Sequence, residues 1–237
     1  MIKALLTDID NTILDFNKCE LEALKPVLIK YGIPTTEENI KLYSSINLAH
    51  WKMLEKKEIS REECITLRWT SFFSHFNINV NPKDINELYF NNLKNGGYLI
   101  KDAAIFLKEI NTLGLPIYAV TNGATIVQKS RLEKSGILKY LKKVYISEKI
   151  GLTKPDKAFF DYVLKDINLK NDEVIMLGDS LTSDIAGALN AKIKPIWLDL
   201  SNLNIKGDYF IVHSLKEALD VIKKEISVSY THLTLPT

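Results

Sequence analysis

Cysteine is nearly absent. Cys19 and Cys64 are the only two, too few for a disulfide framework and not spaced as a metal pair, so both read as reduced, buried thiols. No apolar run approaches the length of a membrane span, which argues against a membrane partner. There is no basic tail and no basic stripe interleaved with aromatics. The formal net charge of +2 comes from interspersed Lys and Glu, so a nucleic-acid polymer is not an expected partner. The four histidines form no metal-type cluster, and neither an internal repeat nor a low-complexity tract occurs. The first apolar run starts at Ile2, which leaves no room for a signal peptide, and a cytoplasmic protein is the expectation. What remains is an ordinary globular composition, 46% hydrophobic and 25% charged, long enough for a sizeable core.

That first run, from Ile2 to Thr7, ends on two acids one residue apart, Asp8 and Asp10, with Thr12 just behind. Short apolar runs recur at 115–121, 143–147, 173–178 and 194–198, with a weaker one at 208–212. Each reads as a buried strand, and stretches of helical periodicity separate them. Strands alternating with helices imply a parallel sheet covered on both faces. Asp102 is placed to cap the helix after it, Gly114 and Gly136 to end helices, and Pro155 to open one. Between residues 15 and 97 the pattern changes to helices alone, near 18–31, 37–57, 60–76 and 82–94. Ser60 and Glu63 form a capping-box pair there. The fold class expected is therefore α/β: a Rossmann-like parallel-sheet core, 1–14 and 98–226, with an inserted helical cap, 15–97, as a lid over the site. Residues 227–237 carry neither charge nor helical stripe and resemble translated adapter sequence; they are expected to be a non-native or disordered tail.

Carboxylates are rarely tolerated at a buried strand end unless a cation neutralises them. In open α/β sheets that end is where ligands bind. Phosphoryl transfer to an aspartate needs a nucleophile, a metal ion, a fixed cation and a phosphate donor, and each part has a candidate at a strand end. Thr121-Asn122-Gly123 offers a hydroxyl and backbone amides for a phosphate oxygen. Lys154 follows the next run in a loop held by Gly151 and Pro155. Asp179 ends the run after that, with Asp184 five residues on, and Mg²⁺ is satisfied by one or two carboxylates plus waters and phosphate. Singly, each has a dull reading: a turn, a solvated lysine, and a helix N-cap at Asp184. Four in order, each at a strand end, do not.

With these motifs the chain resembles the haloacid dehalogenase-like hydrolase superfamily, whose first motif matches Asp8-Ile9-Asp10-Asn11-Thr12. The second matches at Thr121, the third at Lys154, the fourth at Gly178-Asp179-Ser180 with Asp184. The superfamily's fourth residue in motif one is usually Gly, and Asn11 stands there; Asn tolerates unusual backbone conformations. The resemblance implies that Asp8 is nucleophile and Mg²⁺ ligand. Asp10 is then general acid and base, with its carbonyl on the metal. Thr121 and the Asn122 amide hold phosphate, Lys154 neutralises charge, Asp179 is the remaining carboxylate ligand, and Asp184 supports the metal's shell or orients Lys154.

Within the helical stretch, Asn47-Leu48-Ala49-His50-Trp51 and Leu67-Arg68-Trp69 are similar to the cap of the noncanonical pyrimidine nucleotidases. So is the phrase 178–187. This implies a Mg²⁺-dependent phosphomonoesterase on nucleoside 5′-monophosphates, as monomer or homodimer. Trp51 would stack a base and Arg68 would bind a carbonyl or phosphate, with packing roles the alternative for both tryptophans. A phosphatase of phosphoglycolate or a sugar phosphate is the rival reading. A haloacid dehalogenase would have no use for Asp10 or a metal, and a degenerate binding protein would be expected to lack the nucleophile or the lysine.

Overall fold

The computed structural model describes residues 1–231. The six apolar runs form β1 (Ala4–Thr7), β2 (Ile117–Thr121), β3 (Leu141–Ile146), β4 (Val174–Gly178), β5 (Lys194–Leu198) and β6 (Phe210–Val212). They join in one sheet of order β3-β2-β1-β4-β5-β6, every pair parallel. Every residue of β1 and β4 is buried, as a central parallel strand covered on both faces requires. The strand order runs outward in opposite directions from β1 and β4. Their carboxyl ends therefore flank the topological switch point, where such sheets open a crevice.

The helices are α1 (Phe16–Lys30), α2 (Glu37–Glu55), α3 (Arg61–Ser74), α4 (Pro82–Leu93), α5 (Ala103–Thr112), α6 (Thr125–Ser135), α7 (Ser147–Ile150), α8 (Lys157–Ile167), α9 (Ala186–Asn190) and α10 (Leu215–Thr231). Packing divides the chain into two units. One holds the sheet: Met1–Asp15, Leu99–Thr125 and the described residues from Gly136 onward. The other is helical: Phe16–Tyr98 with Ile126–Ser135. The cuts expected from the sequence fell one residue earlier, and most of α6 groups with the helices rather than with the sheet. Among the described residues, no helix is long and apolar enough to cross a membrane.

In the sheet unit, Phe159, Phe160 and Val163 on one stripe of α8 bury against Ala4, Leu6, Val174 and Met176. Two local expectations are corrected. Asp102 precedes α5 in the left-handed region (φ 64°) and makes no side-chain cap, because capping geometry needs an extended residue there. Pro155 stands two residues ahead of α8 rather than in its first turn, since Asp156 is still extended (ψ 129°). At the other end of the chain, α10 spans Leu215–Thr231 and so takes in the first residues of the stretch 227–237. The expectation of a non-native or disordered tail otherwise concerns 232–237, which lie outside the described residues.

The helical unit is capped as its sequence suggests. Ser60 and Glu63 exchange both bonds of a capping box on α3, Thr36 caps α2, and Asn81 caps α4 with Pro82 in the first turn. Its interior is aromatic: Tyr43 stacks on Trp69 at 4.7 Å between centroids, and Tyr89 meets Trp69 edge-on at 5.1 Å. Through this apolar interior runs a polar chain. Arg68 donates from Nη1 to Asn47 Oδ1 (2.7 Å) and from Nη2 to Asn86 Oδ1 (2.6 Å). Asn47 Nδ2 donates on to Glu20 Oε1 (2.7 Å), and Ser44 donates to Glu20 Oε2 (2.5 Å). Burial pushes the Glu20 carboxyl above its ordinary value, while the bonds from Ser44 and Asn47 and the Arg68 charge pull it back.

Arg68→Met would leave the buried Asn47 Oδ1 without a donor, Asn86 Oδ1 with only the Trp69 indole N–H at 3.4 Å, and Glu20 without its counter-charge. The expected cost is about 2–4 kcal/mol in urea denaturation. A raised Glu20 pKa means that its ionisation lowers stability as pH rises past the unfolded value of 4.5. The Arg68→Met defect should therefore be largest near neutrality and shrink as pH falls and Glu20 takes its proton. A defect under 0.5 kcal/mol at every pH would show that the network does not hold the helices.

Candidate active site

The β1–β4 pairing positions the first acids. The amide of Asp8 donates to Leu177 O (2.9 Å), carrying the ladder one residue beyond β1 before the chain turns away. The turn is tight: the amides of Ile13 and Leu14 both reach Ile9 O, and the Asn11 amide reaches Leu14 O. Asn11 sits in the left-handed region at φ 55°, which accounts for Gly or Asn at this position. Thr12, buried in the same turn, donates its hydroxyl to Asp179 Oδ1 at 3.2 Å.

Lys154 is 1% exposed, and its ammonium has three acceptors: Asp8 Oδ1 (2.5 Å), Asp184 Oδ1 (2.7 Å) and Val120 O (2.8 Å). All three of its hydrogens are thereby used. The loop carrying it is tied to the end of β2 by Asn122, which donates from Nδ2 to Lys154 O (2.8 Å) and accepts the Lys154 amide on Oδ1 (3.0 Å). Thr121 accepts the Gly123 amide (3.0 Å), closing that turn.

Asp184 lies in a wide helical turn, Leu181–Ile185, between β4 and α9. The cap of that turn is Ser180, not Asp184 as its dull reading had it. Asp184 is 1% exposed and holds Lys154 on one oxygen and the Ser180 amide on the other (3.1 Å). A Cβ on Gly178 would stand 2.4–2.5 Å from Asp184 side-chain atoms, so only Gly fits there.

The charges do not balance. Three carboxylates, Asp8, Asp179 and Asp184, gather around the single ammonium of Lys154, with Asp10 near enough to repel Asp8. Burial pushes the Asp8 carboxyl up to about 7; Lys154 opposes this, while Asp184 and Asp10 add to it by repulsion. Asp179 is also raised, by burial first and then by Asp8 and Asp184. Burial lowers the Lys154 pKa, but Asp184 and Asp8 together outweigh it and hold it above the usual lysine value. Carboxylate oxygens of Asp8, Asp179 and Asp184 come within 4.8 Å of one another. Surplus negative charge on hard oxygen donors, gathered in so small a space, is what a divalent cation such as Mg²⁺ requires.

The structure thus gathers Asp8, Asp179, Asp184 and Lys154, with Asp10 in the same turn and Thr121 to Gly123 joined through Asn122. Two residues named from the helical unit fare differently. Trp51 is half-buried, with the Arg61 guanidinium 5.6 Å from its ring. Arg68 is 2% exposed and spent on Asn47 and Asn86, which corrects the expectation that it is presented to substrate. Sequence reasoning did not single out the Val120 carbonyl, nor Trp197, whose indole N–H donates to Asp179 O at 2.8 Å. Backbone oxygens leave no trace in residue identity. A tryptophan inside a buried strand is the only signal the second contact offers.

Residues 5–198 match the family described as haloacid dehalogenase-like hydrolases, and the chain belongs to that family. Among relatives, the pyrimidine 5′-nucleotidase PynA of Streptococcus pneumoniae is 34% identical over 94% of this chain and 96% of its own length. The pyrimidine 5′-nucleotidase YjjG of Escherichia coli is 30% identical, over 81% and 84% respectively. Among solved structures, the magnesium-bound HAD hydrolase YfnB of Bacillus subtilis superposes with a TM-score of 0.89 at 28% identity, covering 94% of this chain and 99% of that one.

The charge imbalance predicts that Mg²⁺ stabilises the protein. Saturating Mg²⁺ should raise the thermal midpoint by about 3–8 °C in scanning fluorimetry, and Asp179→Asn should abolish the rise. Because protons compete for Asp8, the rise should be larger at pH 8 than at pH 6. An equal rise in Asp179→Asn would remove that carboxylate from the cation site.

Proposed function

We propose that the protein is a Mg²⁺-dependent phosphomonoesterase that removes phosphate from nucleoside 5′-monophosphates, pyrimidines preferred, through an aspartyl-phosphate. The observation that carries this reading is the Lys154 ammonium bridging Asp8 and Asp184 in a cluster with surplus negative charge. The two nucleotidase relatives, matched over most of their length, support the substrate class. The reading also has the enzyme acting on free nucleotides in the cytoplasm, as a monomer or homodimer.

The chain's own groups account for both half-reactions. A carboxylate oxygen of Asp8 attacks phosphorus, forming the acyl-phosphate bond as the bond to the leaving oxygen breaks. Asp10 gives that oxygen its proton. Asp10 then takes a proton from water as the water attacks the same phosphorus, and cleavage of the acyl-phosphate returns the Asp8 carboxylate and frees phosphate. Lys154 offsets charge on Asp8 and the transferring group, with Asp184 holding it in place. Thr121, the Asn122 amide and Gly123 hold the non-bridging oxygens. Asp8 and Asp179, with the Asp10 carbonyl, would hold Mg²⁺. Bound there, the cation would supply charge neutralisation and orientation for the phosphoryl group. Dehalogenation at carbon would use the same nucleophile but leaves Asp10 and Asp179 without work.

The test is phosphate release with Mg²⁺ from UMP, dUMP, dTMP, AMP, phosphoglycolate and a sugar phosphate. Pyrimidine monophosphates should be turned over best, and Asp8→Asn should lose at least 10³-fold in kcat with its circular dichroism unchanged. Full turnover by Asp8→Asn would discard the mechanism. Turnover confined to phosphoglycolate or the sugar phosphate would keep the chemistry and discard the nucleotide.

Trp51→Ala addresses base recognition separately. If the indole stacks the base, KM should rise about tenfold for UMP and little for a small aryl phosphate. Equal effects on both would return Trp51 to a packing role.

A further inference from the structure

We infer that Trp197 is a positioning residue for the cation site, acting through the backbone of Asp179; this rests on the proposal that Asp179 holds Mg²⁺. Pairing of β4 with β5 sets Trp197 directly beside Gly178, the residue before Asp179. From there its indole N–H donates to Asp179 O at 2.8 Å, and the residue is 2% exposed. The other end of the same peptide unit is also held, because the Ser180 amide donates to Asp184 Oδ2 at 3.1 Å. A peptide plane pinned at both its C=O and its N–H cannot swing, so the Cα–Cβ direction of Asp179 is set by the scaffold. What remains is rotation of the carboxylate itself, and the Thr12 hydroxyl limits that from the β1 side at 3.2 Å.

The indole is braced in turn. Tyr209 meets it edge-on, centroids 5.9 Å apart and planes at 86°, and the Tyr209 hydroxyl donates to Ile205 O at 2.7 Å. The bond to Asp179 therefore starts from a ring with little freedom of its own. Groups that orient metal-binding carboxylates govern affinity without touching the ion, and their loss commonly costs 10–100-fold. The N–H is the only part of Trp197 that the argument needs; the ring could be phenyl and still pack on Tyr209.

Trp197→Phe isolates that N–H. Calorimetric titration of Mg²⁺ onto wild type and variant, without substrate, should show affinity weaker by about tenfold in the variant. The Mg²⁺ concentration for half-maximal phosphate release should move in parallel, while KM for the phosphomonoester at saturating Mg²⁺ stays within twofold. A residue that merely fills space would lower the thermal midpoint and leave Mg²⁺ affinity unchanged, and that result would overturn the inference. A second measurement needs no variant. In wild type, the indole N–H resonance that shows through-space contact to the Tyr209 ring should shift when Mg²⁺ is added; an unmoved resonance would equally overturn the inference. Failure of wild type to bind Mg²⁺ at all would be a different result, removing the cation from the proposed function itself.

Discussion

Everything at the sheet's carboxyl edge depends on one ammonium. Lys154 reaches Asp8, Asp184 and the Val120 carbonyl, and so fastens the end of β1, the turn after β4 and the end of β2 with a single buried charge. Burying an ion costs several kcal/mol unless its partners are close and its donors all used. Both conditions hold. The arrangement is also unbalanced, because one positive charge faces the three carboxylates Asp8, Asp179 and Asp184. Lys154 is thus strong enough to hold Asp8 and Asp184 in register but not to neutralise the cluster, and the remaining field is of the sign that would attract a second cation.

Local backbone requirements follow from that contact. Asp184 must sit against β4 to reach Lys154, which leaves no room for a side chain at Gly178. Asp8 must leave β1 while still paired to Leu177, and the chain then turns at once, at the left-handed Asn11. The loop bearing Lys154 cannot drift from β2, since Asn122 bonds its backbone on both the amide and the carbonyl side. Each of these is a short-range constraint that serves a long-range one.

This explains what was legible in the sequence. Strands were found because buried parallel strands are continuous apolar runs, and the acids because carboxylates at the end of such a run have no structural excuse. Asn11 could be read as a substitute for Gly because φ preference is a property of the residue alone. Asp102 was misread for the converse reason: residue type suggests a cap, whereas capping depends on a backbone conformation that residue type does not determine. Arg68 was misread differently. An arginine in an amphipathic helix looks available for a ligand, and nothing local reveals that Asn47 and Asn86, from two other helices, accept from it, with Glu20 one bond further on. Long-range hydrogen bonds to buried side chains and to carbonyl oxygens are the part of the site that spacing does not encode.

The contrast between the two units carries the functional argument a step further. In the sheet unit, buried charge is left uncompensated, and burial first, then repulsion from Asp184 and Asp10, raises the Asp8 carboxyl to about 7 against the pull of Lys154. In the helical unit, the buried arginine has both terminal nitrogens engaged, and the acid at the other end of its chain of bonds accepts from two donors. A polar network whose acid and base are both engaged from within, as here apart from the unpartnered Arg68 Nε, specifies packing and has little left to offer a ligand. One that keeps surplus charge of a single sign is costly to maintain in an empty site and is relieved by binding. On this physical ground the proposed chemistry is assigned to the carboxyl ends of β1 and β4.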